Sequence, residues 1–190
     1  EFEVFGFDLE HGLPAPKDFR DSPYLFTEGS FVMNKKALLD KLNFSKLIIG
    51  DVVETLETFF KKNNPAPIGA IMFDLDFYTS TKNAFKVFLN NDDKYYLPRI
   101  HCNFDDVQTI ESIGERLAIK EFNEEHEYKK IENSYRTVKE GIKNRHRIFE
   151  FHNFKHKDYC TPLDKIRQDH LKGTKAEITE KFTTDEAKIY

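Results

Sequence analysis

The sequence predicts an α/β fold built on a doubly wound, mostly parallel sheet with an antiparallel C-terminal edge. Four short apolar runs, each followed by an aspartate, are typical of strands buried on both faces of a parallel sheet. Helical patterns fill the intervals between them, which indicates right-handed βαβ crossovers. Two strand-like segments then follow each other directly, as antiparallel edge strands do.

The four apolar runs define the parallel strands. They are Val4–Phe7 before Asp8, Leu47–Gly50 before Asp51, Ile68–Phe73 before Asp74, and Ile100–Phe104 before Asp105. The antiparallel edge is predicted over Tyr128–Tyr135 and Arg147–Phe154, with a charged connection over 136–145.

Capping residues and apolar spacing predict the helices. We expect a first helix capped by Asn34, a second around Leu56–Phe60, a third capped by Ser80 or Thr81, and a fourth over about Ile113–Glu124. The 190 residues suit a single domain, which we place at 1–160, followed by a polar helix or tail over 161–190.

Composition narrows the classes of function. A net charge of −4 gives no electrostatic attraction to nucleic acid or to anionic membranes. No apolar run approaches the roughly 20 residues of a membrane span. Two cysteines form no disulfide framework, so we expect a cytoplasmic protein.

The aspartates at the strand ends are the candidate site, because ligands bind outside the carboxyl ends of parallel strands. If their strands are neighbours, Asp74, Asp105 and Asp106 converge, and a cation would relieve their repulsion. Ligands that are all oxygen favour Mg²⁺ or another hard divalent cation. Alternatively, Asp106 caps a turn, Asp105 is solvated, and the acids only mark where the chain leaves the core.

The two earlier strand ends suit a nucleoside. An acid after the second strand of a nucleotide-binding sheet commonly accepts hydrogen bonds from ribose hydroxyls, the role expected of Asp8. Asp51 and Val52 would lie one strand further out, beside an adenine ring.

Four motifs occur in the order seen in the macrocin O-methyltransferase group and its small relatives. They are Phe7–Pro16, Gly50–Leu56, Phe73–Tyr78 and Phe104–Asp106. The chain therefore resembles class I S-adenosylmethionine-dependent methyltransferases, with a Rossmann-like sheet. The resemblance implies an S-adenosylmethionine cofactor, a catalytic Mg²⁺, and methyl transfer to a small hydroxylated acceptor.

The same resemblance assigns roles to individual residues. Asp74, Asp105 and Asp106 match the metal positions, Asp8 the ribose position, and Asp51 with Val52 the adenine position. We also assign Asp74 to the border of the cofactor site.

The chain also departs from the family pattern. Its glycine-rich loop and first strand, which lies between the second and fourth, are absent from the sequence. We therefore expect the natural protein to begin about 40 to 80 residues earlier, the size of one or two βαβ steps. The lysine of catechol-type enzymes is replaced by Phe77, which leaves Asp76 and His101 as candidate bases.

Two other functions remain open. The fold could serve as a catalytically silent binding or scaffold domain, since fold does not determine function. Phe73–Asp76 also resembles the first motif of haloacid-dehalogenase phosphatases, with Asp74 as nucleophile and Asp76 as acid. The long segment 17–33 could cover substrate or pack on a helix, and a homodimer is plausible.

Overall fold

A computed structural model describes residues 2–107, 110–134, 147–162 and 165. Residues Glu1–His156 form one compact unit and Lys157–Tyr190 a second. The predicted charged connection 136–145, and all of the predicted tail except 161, 162 and 165, lie outside the described residues. The boundary at 160 therefore stays a prediction.

The described part of the first unit contains six strands and four α-helices. The strands are β1 (Val4–Asp8), β2 (Ser45–Ile49), β3 (Ile68–Phe73), β4 (Tyr96–Phe104), β5 (Lys129–Asn133) and β6 (Ile148–Asn153). The helices are α1 (Lys35–Leu39), α2 (Val52–Asn63), α3 (Tyr78–Ala84) and α4 (Gly114–Glu125). Short 3-10 turns cover Phe19–Asp21, Phe85–Leu89 and Asp93–Tyr95.

The strands form two sheets. β1 and β2 pair in parallel, and a second sheet has the order β3-β4-β6-β5. Within it β3 and β4 are parallel, whereas β6 runs antiparallel to both of its neighbours. The mostly parallel sheet with an antiparallel edge is therefore confirmed.

In the described part of the chain the sheet is interrupted between β1 and β3, which do not pair with each other. Among the described residues, β1 pairs only with β2 and β3 pairs only with β4, so each of these strands has one unpaired edge. The interruption lies where the resemblance puts the family's first strand. Across it, the Glu3 carboxylate accepts a hydrogen bond from the Ala66 N–H at 3.0 Å, so the two strands begin close together.

The core is aromatic and lies where the helices meet the four-stranded sheet. Phe88 is fully buried and stacks on Phe151 with ring centroids 4.0 Å apart, while Phe73 stacks on Phe104 at 4.7 Å. Alternate residues of β4 and β6 face this core, as a sheet with one packed face requires. None of the helices in the described part of the chain has the length and apolarity needed to cross a membrane.

One predicted cap is confirmed and another is wrong. The Asn34 side chain accepts a hydrogen bond from the Ala37 N–H at 3.0 Å. Helix α3, by contrast, begins at Tyr78 after Phe77, before the predicted caps Ser80 and Thr81. Thr81 is buried inside the helix and its hydroxyl donates to the Phe77 carbonyl at 2.8 Å, a competing use of a short hydroxyl side chain.

Candidate functional site

The carboxyl ends of β1 to β4 open into one crevice of about 590 Å³. This volume lies within the range of about 300–1,000 Å³ typical of small-molecule sites. Seven aspartates line it, namely Asp8, Asp21, Asp51, Asp74, Asp76, Asp105 and Asp106. The structure therefore brings together every predicted site residue except His101.

Three of these acids form a compact cluster. One carboxylate oxygen from each of Asp74, Asp105 and Asp106 lies within 4.8 Å of the others. The Asp105 N–H donates to the Phe73 carbonyl at 3.0 Å, which continues the β3–β4 pairing into the turn. In the described part of the chain the Asp74 carboxylate has no hydrogen-bond partner. An oxygen-only set of this size fits a hard divalent cation.

Asp76 lies beside the cluster in an unusual backbone conformation. Its φ of 57° is left-handed, and the Phe77 N–H donates across it to the Leu75 carbonyl at 2.5 Å. Partial burial, followed by the charges of Asp106 and Asp74, raises the pKa of Asp76 to about 6. Burial and the neighbouring acids also raise the pKa of Asp106.

Glu115 is a member of the site that the sequence did not indicate. It lies in the first turn of α4, is fully buried, and accepts a hydrogen bond from the Asp106 N–H at 3.0 Å. Its second oxygen, Oε1, is buried and has no partner among the described residues. Burial, with the nearby charge of Asp106, raises the pKa of Glu115 to about 9, so the side chain is a neutral acid at pH 7.

Arg147 is the second member that sequence reasoning missed. It immediately precedes β6, and its Nη1 donates to Asp105 Oδ1 in an ion pair. The antiparallel pairing of Asn103 with Ile148 brings these two chain positions together. The sequence placed this basic residue at the start of a predicted strand, but it did not indicate that the strand pairs beside Asp105.

The predicted adenosine side is built from β1, β2 and the start of α2. Asp8 Oδ1 accepts from the Glu10 N–H at 2.5 Å, and Asp51 Oδ1 caps α2 by accepting from the Val53 N–H at 2.7 Å. Both residues are exposed to the crevice, and in the described part of the chain each second carboxylate oxygen has no partner. Val52 lines the same wall.

His101 lies apart from this crevice. It is on β4, three-fifths exposed, with Nδ1 3.7 Å from Glu150 Oε1 on β6, and it is not among the lining residues. Because residues alternate along a strand, His101 projects from the face opposite to the buried Ile100 and Cys102. The geometry gives it no position from which to act as the base.

The long segment after β1 packs against α3, which is one of its two predicted roles, and it contributes a side chain to the crevice wall. Backbone hydrogen bonds between Leu13 and Ser30 (2.8 Å) and between Gly29 and Leu13 (2.9 Å) close its neck. The fully buried Asp21 anchors it by accepting from the N–H and hydroxyl of Thr79 in α3. The exposed ring of Phe31 lines the crevice, on a left-handed backbone with φ 61°.

Comparison with known proteins supports the fold. No family model and no curated sequence matches the chain. Among solved structures, CalS11, a calicheamicin methyltransferase, matches with a TM-score of 0.56 and 20% identity. The match covers 79% of this chain, which spans 60% of the length of that protein. Together with the strand order and the crevice at the strand ends, this match shows that the chain has a methyltransferase fold.

Proposed function

We propose that the chain is part of an S-adenosylmethionine-dependent, divalent-metal-assisted O-methyltransferase that acts on a small hydroxylated acceptor. The convergence of acids from four strand ends in one crevice carries the proposal. An acid-lined crevice attracts a cationic sulfonium cofactor and a metal ion alike. The methyltransferase fold of the CalS11 neighbour supports this assignment.

The residues fit both ligands. Asp8 and Asp51 each offer one free carboxylate oxygen to hydroxyl or amine donors, and Val52 offers an apolar wall beside them. Asp74, Asp105 and Asp106 would hold the cation. When bound, Mg²⁺ supplies a Lewis acid that lowers the pKa of an acceptor hydroxyl, and S-adenosylmethionine supplies the methyl group.

Asp76 is the best-placed proton acceptor of the described residues. It lies in the crevice next to the cluster, and a pKa of about 6 leaves it largely ionised at neutral pH. A base works best with a pKa close to the working pH. The tight turn at Asp76 places its side chain near Asp106, whose charge contributes to the raised pKa of Asp76.

Calorimetry with S-adenosylhomocysteine and with Mn²⁺ tests the two halves of the proposal separately. Asp8→Asn is expected to weaken nucleoside binding and leave Mn²⁺ binding intact, and Asp105→Ala the reverse. Asp92→Asn, at an exposed acid that is paired with Lys94 outside the crevice, is the matched control. Binding of neither ligand would refute the proposal, and hydrolysis of p-nitrophenyl phosphate would favour the phosphatase alternative.

A further inference from the structure

Arg147 brings a positive charge to the acidic cluster. Its guanidinium is paired with Asp105, one of the three acids whose oxygens lie within 4.8 Å of one another. Its Nε is buried and has no hydrogen-bond partner among the described residues, so the ion pair with Asp105 is not backed by a second contact from that atom. Among the described ion pairs, this is the one that reaches the cluster.

The guanidinium of Arg147 offsets part of the negative charge of the acidic cluster. The carboxylates of Asp74, Asp105 and Asp106 lie close enough to repel one another, and the guanidinium paired with Asp105 offsets part of that repulsion. A divalent cation held by the same acids would perform this compensation more strongly, because it carries twice the charge at a shorter distance from the oxygens. Two cations drawn to one carboxylate repel each other.

We propose that Arg147 and the divalent cation compete for Asp105. In the metal-free protein the guanidinium holds Asp105 and balances the cluster. When the metal binds, Asp105 becomes a ligand and Arg147 withdraws to the rim of the crevice. Arg147 thereby lowers the affinity of the site for metal. In the metal-free protein it also prevents the mutual repulsion of the carboxylates from opening the site. This inference rests on the metal assignment in the proposed function.

Mn²⁺ affinity, measured by calorimetry at low ionic strength, tests the exchange. Arg147→Met keeps the aliphatic stem and removes the charge, and should bind Mn²⁺ roughly two- to fivefold more tightly, the factor that an exposed ion pair is worth. Arg147→Lys keeps the charge and should stay near the wild type. Lys94→Met removes the cation of the 3.3 Å surface pair with Asp92 and should change nothing.

Salt and stability provide readouts that do not depend on turnover. The difference between wild type and Arg147→Met should shrink at molar sodium chloride, since salt screens an exposed pair. In the metal-free protein, urea unfolding should show a larger loss of stability for Arg147→Met than for Lys94→Met, and saturating Mn²⁺ should remove that excess loss.

Weaker or unchanged Mn²⁺ binding by a folded Arg147→Met would overturn the exchange, and weaker binding would show instead that Arg147 positions Asp105 as a ligand. If neither the wild type nor any variant binds Mn²⁺, the metal assignment fails and the exchange fails with it. Binding of S-adenosylhomocysteine in the same samples then shows whether the cofactor half of the proposed function survives.

Discussion

The two sheets supply acids to the same crevice but are stabilised in different ways. The four-stranded sheet is packed against an aromatic core, whereas no residue of β1 or β2 is fully buried. The two-stranded sheet is attached mainly through Phe5 and Phe7, whose rings each meet Phe59 of α2 at 5.1 Å. The proposed metal half of the site is therefore built on a well-packed sheet, and the proposed nucleoside half on a lightly buried one.

The acids on the two sheets also differ in their electrostatic environment. On the four-stranded side, burial and crowding raise the pKa values of Asp76, Asp106 and Glu115. On the two-stranded side, Asp8 and Asp51 are exposed and accept backbone hydrogen bonds. Ionisable groups whose pKa values are shifted by burial and by neighbouring charges are typical of catalytic sites. Exposed hydrogen-bond acceptors are better suited to binding a ligand.

Substitutions of buried rings should show the largest difference in stability between the two sheets. Phe88→Ala removes a fully buried ring stacked on Phe151 and should lower the free energy of unfolding by about 3–5 kcal/mol. Phe5→Ala removes a half-buried ring and should cost about 1–2 kcal/mol, since it covers less apolar area. Urea unfolding measures both, and equal losses would contradict the comparison.

Glu115→Gln should stabilise the protein at neutral pH. The folded state keeps a proton on Glu115 up to a pKa of about 9, whereas the unfolded state releases it near 4.5. Stability therefore falls as pH rises between these two values. The amide keeps an acceptor for the Asp106 N–H and removes this loss, so we expect a gain on the order of 2 kcal/mol at pH 7.

Glu121→Gln is the matched control on the same helix. Glu121 accepts hydrogen bonds from Lys82 and Tyr78, which lower its pKa, so the ionised form contributes stability above its unfolded pKa. The same chemical change should therefore destabilise the protein at pH 7. Free energies of unfolding measured from pH 5 to 9 give the direction of the stability change in both variants. A loss of stability in Glu115→Gln would contradict the inference that Glu115 is a neutral acid in the folded protein.

Two glycines test how the segment after β1 is held. Gly12 and Gly29 both have positive φ, 84° and 76°. A Cβ on Gly12 would lie 2.4 Å from the Ser30 carbonyl oxygen, whereas one on Gly29 meets nothing within 4 Å. Gly12→Ala should lose about 2–3 kcal/mol, from backbone strain together with the clash, and Gly29→Ala about 1 kcal/mol.

Limited proteolysis of the segment checks the same pair of variants. Faster cleavage in Gly12→Ala than in Gly29→Ala would show that the neck has opened. Equal protection in both variants would mean that Asp21, bonded to Thr79, holds the segment without the neck.

The elements that carry local signals were predictable. Continuous apolar runs indicated the four parallel strands, and strand ends share an edge, so the meeting of Asp74, Asp105 and Asp106 followed from the pattern. The cap of α3 was not predictable in this way, because Thr81 has the residue type of a cap but a buried position. Residue type alone does not reveal burial.

The missed site residues depend on tertiary pairing. Glu115 reaches Asp106 because α4 turns back over the strand end, and an acid in the first turn of a helix ordinarily indicates only a favourable helix dipole. Arg147 reaches Asp105, 42 positions earlier, through the antiparallel pairing of β6 with β4. Register between distant strands is not encoded in the local sequence, so neither contact was visible.

The smallest expected effect concerns Asp51, whose carboxylate has two roles that substitution can separate. Asp51→Ala removes the cap of α2 and should cost about 1 kcal/mol, whereas Asp51→Ser keeps an oxygen for the Val53 N–H and should cost only a few tenths. If the second carboxylate oxygen binds the nucleoside, both variants should weaken S-adenosylhomocysteine binding equally, despite their different stabilities. Calorimetry beside urea unfolding decides this. Binding that is restored in Asp51→Ser would show that Asp51 only begins the helix, and that the nucleoside half of the crevice relies on Asp8.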